Sequence, residues 1–167
     1  YPRALIDRLG PRAPAVLHLV GDPALMTRDL LGIVGAPDAG EDVARDAASA
    51  AVTHGWGVVT GSVRGIDRVT LMTATDAGGS AVVMLADALA RVVEEPDLRR
   101  LVAKGQLCLA SPFPPTVRFT ERNAIARAKL LHALAHRMLV VATDPDDEET
   151  MAGATEALTL GLPVDVW

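Results

Sequence analysis

Short apolar runs alternate with longer amphipathic stretches along most of the chain. The first clear apolar run is Leu31-Gly32-Ile33-Val34-Gly35, closed by glycine, the form of a strand covered on both faces. The Ala-rich stretch 42–53 follows as a helix, with Asp38 and Glu41 spaced three apart ahead of it as a capping pair. A second strand is expected over 56–60 and a second helix over 66–76, stopped by Gly78-Gly79. Further strands are expected at 81–85, 106–110, 138–142 and 163–166. Helices are expected at 96–103, 120–136 and 150–160, with a Pro-rich loop at 111–118. Residues 1–29 carry a short helical pattern and the apolar run 16–20, read as an appendage packed on the sheet.

Strand and helix alternating at this spacing imply right-handed βαβ units. The expected fold is α/β: an extended Rossmann-like, doubly wound, mainly parallel sheet in one domain spanning 1–167. Ligands of such sheets sit beyond the carboxyl ends of the strands. Those ends are 35–37, 60–65, 86–87, 111–123 and 143–150, which should converge on one rim.

The bulk numbers narrow the partners. A chain of 167 residues that is half hydrophobic is one domain of ordinary size with a substantial core. A net charge of -5 argues against a globally basic nucleic-acid binder but leaves room for a local patch. Cys108 is the only cysteine, so no internal disulfide forms, and a reducing cytoplasm is the expected compartment. Within Leu107-Cys108-Leu109-Ala110 it reads as a buried strand thiol rather than a nucleophile. No apolar run approaches the ~20 residues of a membrane span. The first residue is Tyr1, not Met, so the expectation is a trimmed chain with any targeting signal out of view.

Candidate chemistry concentrates at 60–67, Thr60-Gly61-Ser62-Val63-Arg64-Gly65-Ile66-Asp67. Two glycines, a hydroxyl pair and an arginine sit where a strand turns into a helix. The loop either cradles phosphate at a helix N-terminus or is a tight βα turn that needs glycine for geometry alone. Asp67 there is either a general acid or base or, more simply, a loop-orienting carboxylate. Between 111 and 137 lie Arg118, Arg122, Arg127, Lys129 and Arg137 against Glu121 alone, a basic patch of +4. Arg122 and Lys129 are seven apart and share a helical face. They would supply salt-sensitive phosphate contacts or simply face solvent. Asn123 either reads a base edge or caps the turn. Aromatic stacking platforms are few; Phe119 is the one nearest the patch, and a Phe at a helix start more commonly enters the core than stacks a base. His132 and His136, four apart, form the pair most suited to a shared metal, yet no Cys or carboxylate follows at a matching spacing. No Ser-His-Asp arrangement is visible, so no catalytic role, metal or cofactor is expected.

Several of these pieces occur in an order that resembles the DNA-processing protein A family (DprA, also called Smf), over nearly the whole chain. The pieces are Tyr1-Pro2 with Leu5, the apolar segment 17–21 ending in glycine, Ile33-Val34-Gly35, the run 60–67, and Phe119 with Arg122 and Asn123. The resemblance implies a domain that binds single-stranded DNA and assists loading of the recombinase RecA in DNA uptake and transformation, without an established catalytic reaction. Candidate partners are therefore single-stranded DNA, RecA and a second copy of the chain. The rim and the resemblance together nominate Gly35, Gly61, Ser62, Arg64, Gly65, Arg118, Arg122, Asn123, Lys129 and Thr150 as DNA or phosphate contacts. The chain also departs from the pattern. Gly35-Ala36-Pro37 stands where the family has Gly-Ser-Arg, Thr70-Leu71 where it has Ala-His, and Ala124 where it has an arginine. Glu148-Glu149-Thr150 stands where it has Ser-Gly-Ser/Thr. The acidic block Asp144, Asp146, Asp147, Glu148 and Glu149 either opposes phosphate on the rim or complements the next helix N-terminus. DNA binding is accordingly expected to be weakened. The alternative is a nucleotide-binding domain related to the phosphoribohydrolases, for which Thr150 and Glu156 are the faint echoes of the glycine-rich loop and its Glu.

Overall fold

Apolar runs without polar alternation become strands covered on both faces. Successive residues of β4 (Ala81–Met84) enter opposite cores: Ala81 and Val83 face one, Val82 and Met84 the other. The computed structural model describes residues 1–35, 40–141 and 147–167. Among these, β1 (His18–Gly21), β2 (Leu30–Gly35), β3 (Gly57–Thr60), β4, β5 (Leu107–Ser111), β6 (Arg137–Val141) and β7 (Val164–Val166) form one sheet in the order β1-β5-β4-β3-β2-β6-β7. Every pairing is parallel except β1 with β5.

Helices cover both faces. One core takes Leu5 and Leu9 of α1 (Arg3–Leu9), Leu130, Leu131 and Leu134 of α6 (Glu121–Leu134), and Ala157 of α7 (Glu148–Thr159). The other takes Ala44 and Ala48 of α2 (Glu41–Thr53), Ile66 and Leu71 of α3 (Gly65–Asp76), Leu89 of α4 (Leu89–Val92), and Leu98 of α5 (Pro96–Ala103). The α/β, doubly wound, mainly parallel fold expected from the pattern is the one observed.

Four local outcomes differ from the sequence reading. The apolar run 16–20 does not merely pack on the sheet: residues 18–21 enter it as an antiparallel edge strand, with His18 opposite Ser111 and Gly21 opposite Cys108. Gly21 closes that strand at φ 109, where a Cβ would lie 2.2 Å from the Leu107 carbonyl oxygen. The single turn α4 carries too few residues for a periodic signal. Helix α6 stops at Leu134, two residues before the expected end. Ala135 turns extended (φ -68, ψ 153), and the His136 N–H donates to the Leu30 carbonyl at 2.8 Å, starting β6 beside β2. Gly40, at φ 77 with no side-chain cap, is the N-cap of α2. Asp38, the expected cap, lies outside the described residues.

Candidate functional site

The chain leaves β2 for β3 on one side and returns to β6 on the other, so β2 is the topological switch point, where the loops part and a crevice opens. A cleft of about 760 Å³ lies there, lined by Gly35 at the end of β2, the loop 61–67 after β3, Ala86 and Asp87 after β4, Phe119 before α6, and Asp147, Glu149 and Thr150 at the start of α7. The expected convergence of the glycine loop and the approach to α6 on one rim is thus present.

The glycines do their work on the protein itself. A Cβ on Gly35 would lie 1.9 Å from the Val141 carbonyl oxygen, so the close approach of β2 and β6 requires its absence. A Cβ on Gly61 would lie 1.5 Å from Nη1 of Arg127, so the guanidinium fills the space that a side chain would take. Gly65 begins α3 at φ 49, in the left-handed region that favours glycine. Ser62 Oγ accepts from the Arg64 N–H at 3.3 Å, tightening the turn. The Thr60 hydroxyl lies within hydrogen-bond reach of the Ile33 carbonyl, at 3.1 Å, and of the Asp67 carboxylate, which ties the start of α3 to the end of β3.

The basic patch divides. Arg127 turns inward from α6, its side chain only 5 % exposed, and Nη2 donates to Glu149 Oε1 at 2.7 Å. Arg137 starts β6 at the opposite rim and pairs with Asp165 through two hydrogen bonds. Three cations of the stretch are exposed, Arg118, Arg122 and Lys129, with Arg122 and Lys129 on the solvent face of α6; none of them lines the cleft. Asn123 gives its backbone N–H to Thr120 Oγ1 at 3.1 Å, so Thr120 is the cap and Asn123 the residue capped. Phe119 is 55 % exposed at the cleft edge, a position open to stacking rather than a core one.

The cleft is more acidic than the sequence motif implies. Arg64, Arg91 and Arg127 line it against Asp67, Asp87, Glu95, Asp147 and Glu149. Arg91 is paired with Asp87, and Glu95 with Arg68 outside the cleft. Arg64 is exposed and has no ion-pair partner among the described residues. Asp147 caps α7: its Oδ1 accepts from the Thr150 N–H at 3.1 Å and its Oδ2 from the Thr150 hydroxyl at 2.6 Å. The helix end that would receive an anion therefore already holds a carboxylate of the chain, and the Thr150 hydroxyl is spent on it. Burial raises the Glu149 carboxyl above its ordinary range; Arg127 opposes that, while Asp67 and Asp147 add to it. Ala36, Pro37, Asp144 and Asp146, named as departures or as part of the acidic block, lie outside the described residues.

The two histidines do not meet. His132 is buried between α6 and α7, its ring against Gly153, where a Cβ would lie 2.2 Å from Cε1. His136 lies beyond the helix, accepting from the Leu30 N–H at 3.2 Å, with its ring edge-on to Trp56. Cys108 is wholly buried in β5, and burial, helped by Asp22, pushes its thiol up to about 11. Glu156, one echo of a phosphoribohydrolase site, is buried against Arg12 at 2.7 Å and does not line the cleft. Sequence reasoning missed the Arg127–Glu149 pair. Its one signal was that Arg127 stands five residues after Arg122 and two before Lys129, roughly 140–160° around the helix from the stripe those two share.

Comparison with known proteins bears on the family and on the fold. The profile of the DNA recombination-mediator protein A family matches residues 1–167, and the chain belongs to that family. Its fold superposes on DNA processing protein A from Streptococcus pneumoniae (TM-score 0.80, 18% identity, covering 99% of this chain and 59% of that one). It superposes equally on DNA processing protein A from Helicobacter pylori, whose structure describes a single-stranded DNA binding mode (TM-score 0.82, 19% identity, 99% and 77%). A molybdenum cofactor binding protein from Rippkaea orientalis is a more distant likeness (TM-score 0.59, 13% identity, 83% and 76%). The chain thus spans under two thirds of the length of the S. pneumoniae protein. No functionally curated protein matches the sequence. No helix among the described residues is long and apolar enough to cross a membrane.

Proposed function

We propose that this chain holds single-stranded DNA along the carboxyl rim of its sheet and acts as a recombination mediator that passes the strand to a RecA-type recombinase in the cytoplasm. The observation that supports the reading is that, in a member of this family, the glycine loop 61–65 and Phe119, just before the helix that carries Arg122 and Lys129, line one cleft. Arg64, Arg118, Arg122 and Lys129 supply phosphate contacts, Asn123 a polar contact to a base or sugar, and Phe119 an exposed ring on which a base can stack. Ser62 and Gly65 shape the loop, while Gly35 and Thr150 serve the frame rather than the ligand. A second copy of the chain would double the length of strand held. No catalytic step is assigned. The alternative of a small nucleotide ligand loses support because Thr150 and Glu156 are both engaged inside the protein.

Binding on this reading is weak and electrostatic. Labelled oligothymidylate, followed by fluorescence anisotropy across a salt series, should show affinity falling steeply with salt. Arg122→Ala should weaken it about tenfold, the loss of one charge-assisted contact, and flatten the salt slope by about 0.7. Affinity that ignores both salt and Arg122→Ala would sink the assignment of this rim.

A further inference from the structure

We infer that Arg127 is a latent oxyanion ligand at the floor of the cleft and that Glu149 is an internal competitor that holds it, so that a phosphate group gains Arg127 only by displacing the Glu149 carboxylate. The inference rests on the reading above in one respect, that the cleft receives phosphate. Arg127 lines the cleft, is only 4 % exposed, and its guanidinium occupies the space that a side chain on Gly61 would take. A guanidinium carries five donors in a planar fork. Here Nη2 is given to Glu149, while Nε is buried and has no partner among the described residues. A buried cation with spare donors is an unfinished arrangement, since burial normally comes with full hydrogen bonding.

Glu149 has the properties of a removable plug. It belongs to the first turn of α7, and its side chain is 34 % exposed where that of Arg127 is 5 %. One oxygen reaches Arg127. Asp67 from α3 and Asp147 from its own helix add negative charge around it. Repulsion from these two carboxylates disfavours the ionised Glu149 that the pair requires. A phosphate brings more acceptor oxygens than a carboxylate, matches the guanidinium fork, and would let Glu149 turn out to water. The α7 cap does not depend on Glu149, because Asp147 closes that end.

The test separates local unplugging from general charge removal. Glu148 is exposed, one residue away, and carries the same charge without reaching Arg127. Glu149→Gln should bind labelled oligothymidylate about tenfold more tightly than the parent, Glu148→Gln less than about twofold, and the gain should vanish in Glu149→Gln/Arg127→Met. Independently, inorganic phosphate should shift the Arg127 Nε–Hε resonance in Glu149→Gln at lower concentration than in the parent, a readout that does not require the double variant to fold. Equal gains from both glutamines, a gain that survives Arg127→Met, or an Arg127 resonance indifferent to phosphate in Glu149→Gln would each overturn the inference. If no form binds the oligonucleotide but the resonance still responds, the oxyanion seat stands and the DNA reading falls. If all forms bind alike and the resonance is silent, the reverse holds.

Discussion

Gly61 is the residue at which the sequence motif and its physical cause part company. A glycine between a strand and a helix invites the thought of a ligand pressed against the backbone, yet the neighbour here is the Arg127 guanidinium. An arginine tip ordinarily swings away from an added methyl group. This one is buried and tied to Glu149, so retreat means breaking the pair in place. Gly61→Ala should therefore lower stability by about 2 kcal/mol, within the range for forcing a methyl group into a filled site. Urea unfolding measures the loss. The same substitution in an Arg127→Met background should cost less than half as much, because the colliding group is gone. Equal costs in both backgrounds would place the strain in the backbone instead.

At the scale of elements, the join between α1 and α6 shows how a short N-terminal helix earns its place. Helix α6 ends at Leu134, and its last carbonyls need donors. Arg8 of α1 supplies them: Nη1 donates to the Ala133 carbonyl at 2.8 Å and also to the Ala135 carbonyl. Cation and helix C-terminus are also matched in sign. Burial lowers the Arg8 pKa from its ordinary value, yet the guanidinium stays charged at any pH at which the protein folds. Arg8→Ala should cost about 2 kcal/mol and lower Tm by about 4–8 °C, with Arg8→Lys recovering part of it, as thermal unfolding followed by circular dichroism would show. An unchanged Tm would mean that water caps α6 equally well. The same helix carries Arg122 and Lys129 on its outer face and Arg127 on its inner one, so one element serves both solvent and cleft.

For the whole molecule, the contact between α6 and α7 couples stability to pH through His132. Nδ1 lies 2.7 Å from the Ala128 carbonyl and donates to it, while Nε2 is buried with no partner among the described residues. Burial, with a smaller push from Arg127 and against the pull of the Ala128 hydrogen bond, lowers the imidazole to about 4. The unfolded chain takes up this proton near pH 6.5, before the folded one does, so stability falls as pH drops from about 6.5 to about 4. The difference amounts to roughly 3 kcal/mol at the lower end. Chemical denaturation at pH 7 and at pH 4.5 should show most of this loss in the parent, and His132→Gln should remove it. A parent and variant with the same pH slope would show that His132 charges freely in the folded state.

Runs such as 81–85 and 107–110, all apolar and bounded by turn residues, can only be strands with cover on both sides, so the doubly wound sheet and the rim at its carboxyl ends were legible in the sequence. The family order of residues, from Tyr1-Pro2 to Phe119, Arg122 and Asn123, was legible for the same reason: it is written in adjacent positions. What no local pattern could reveal is pairing between distant segments. Arg127 and Glu149 are 22 residues apart, Arg8 and Ala133 are 125 apart, and His18 meets Ser111 across the sheet. Each contact depends on side-chain direction and strand order, which are set only when the helices close over the sheet. The basic stretch 118–137 therefore read as one patch, and folding distributed it between solvent, the cleft floor and the opposite rim, because a helix turns its residues by 100° at each step.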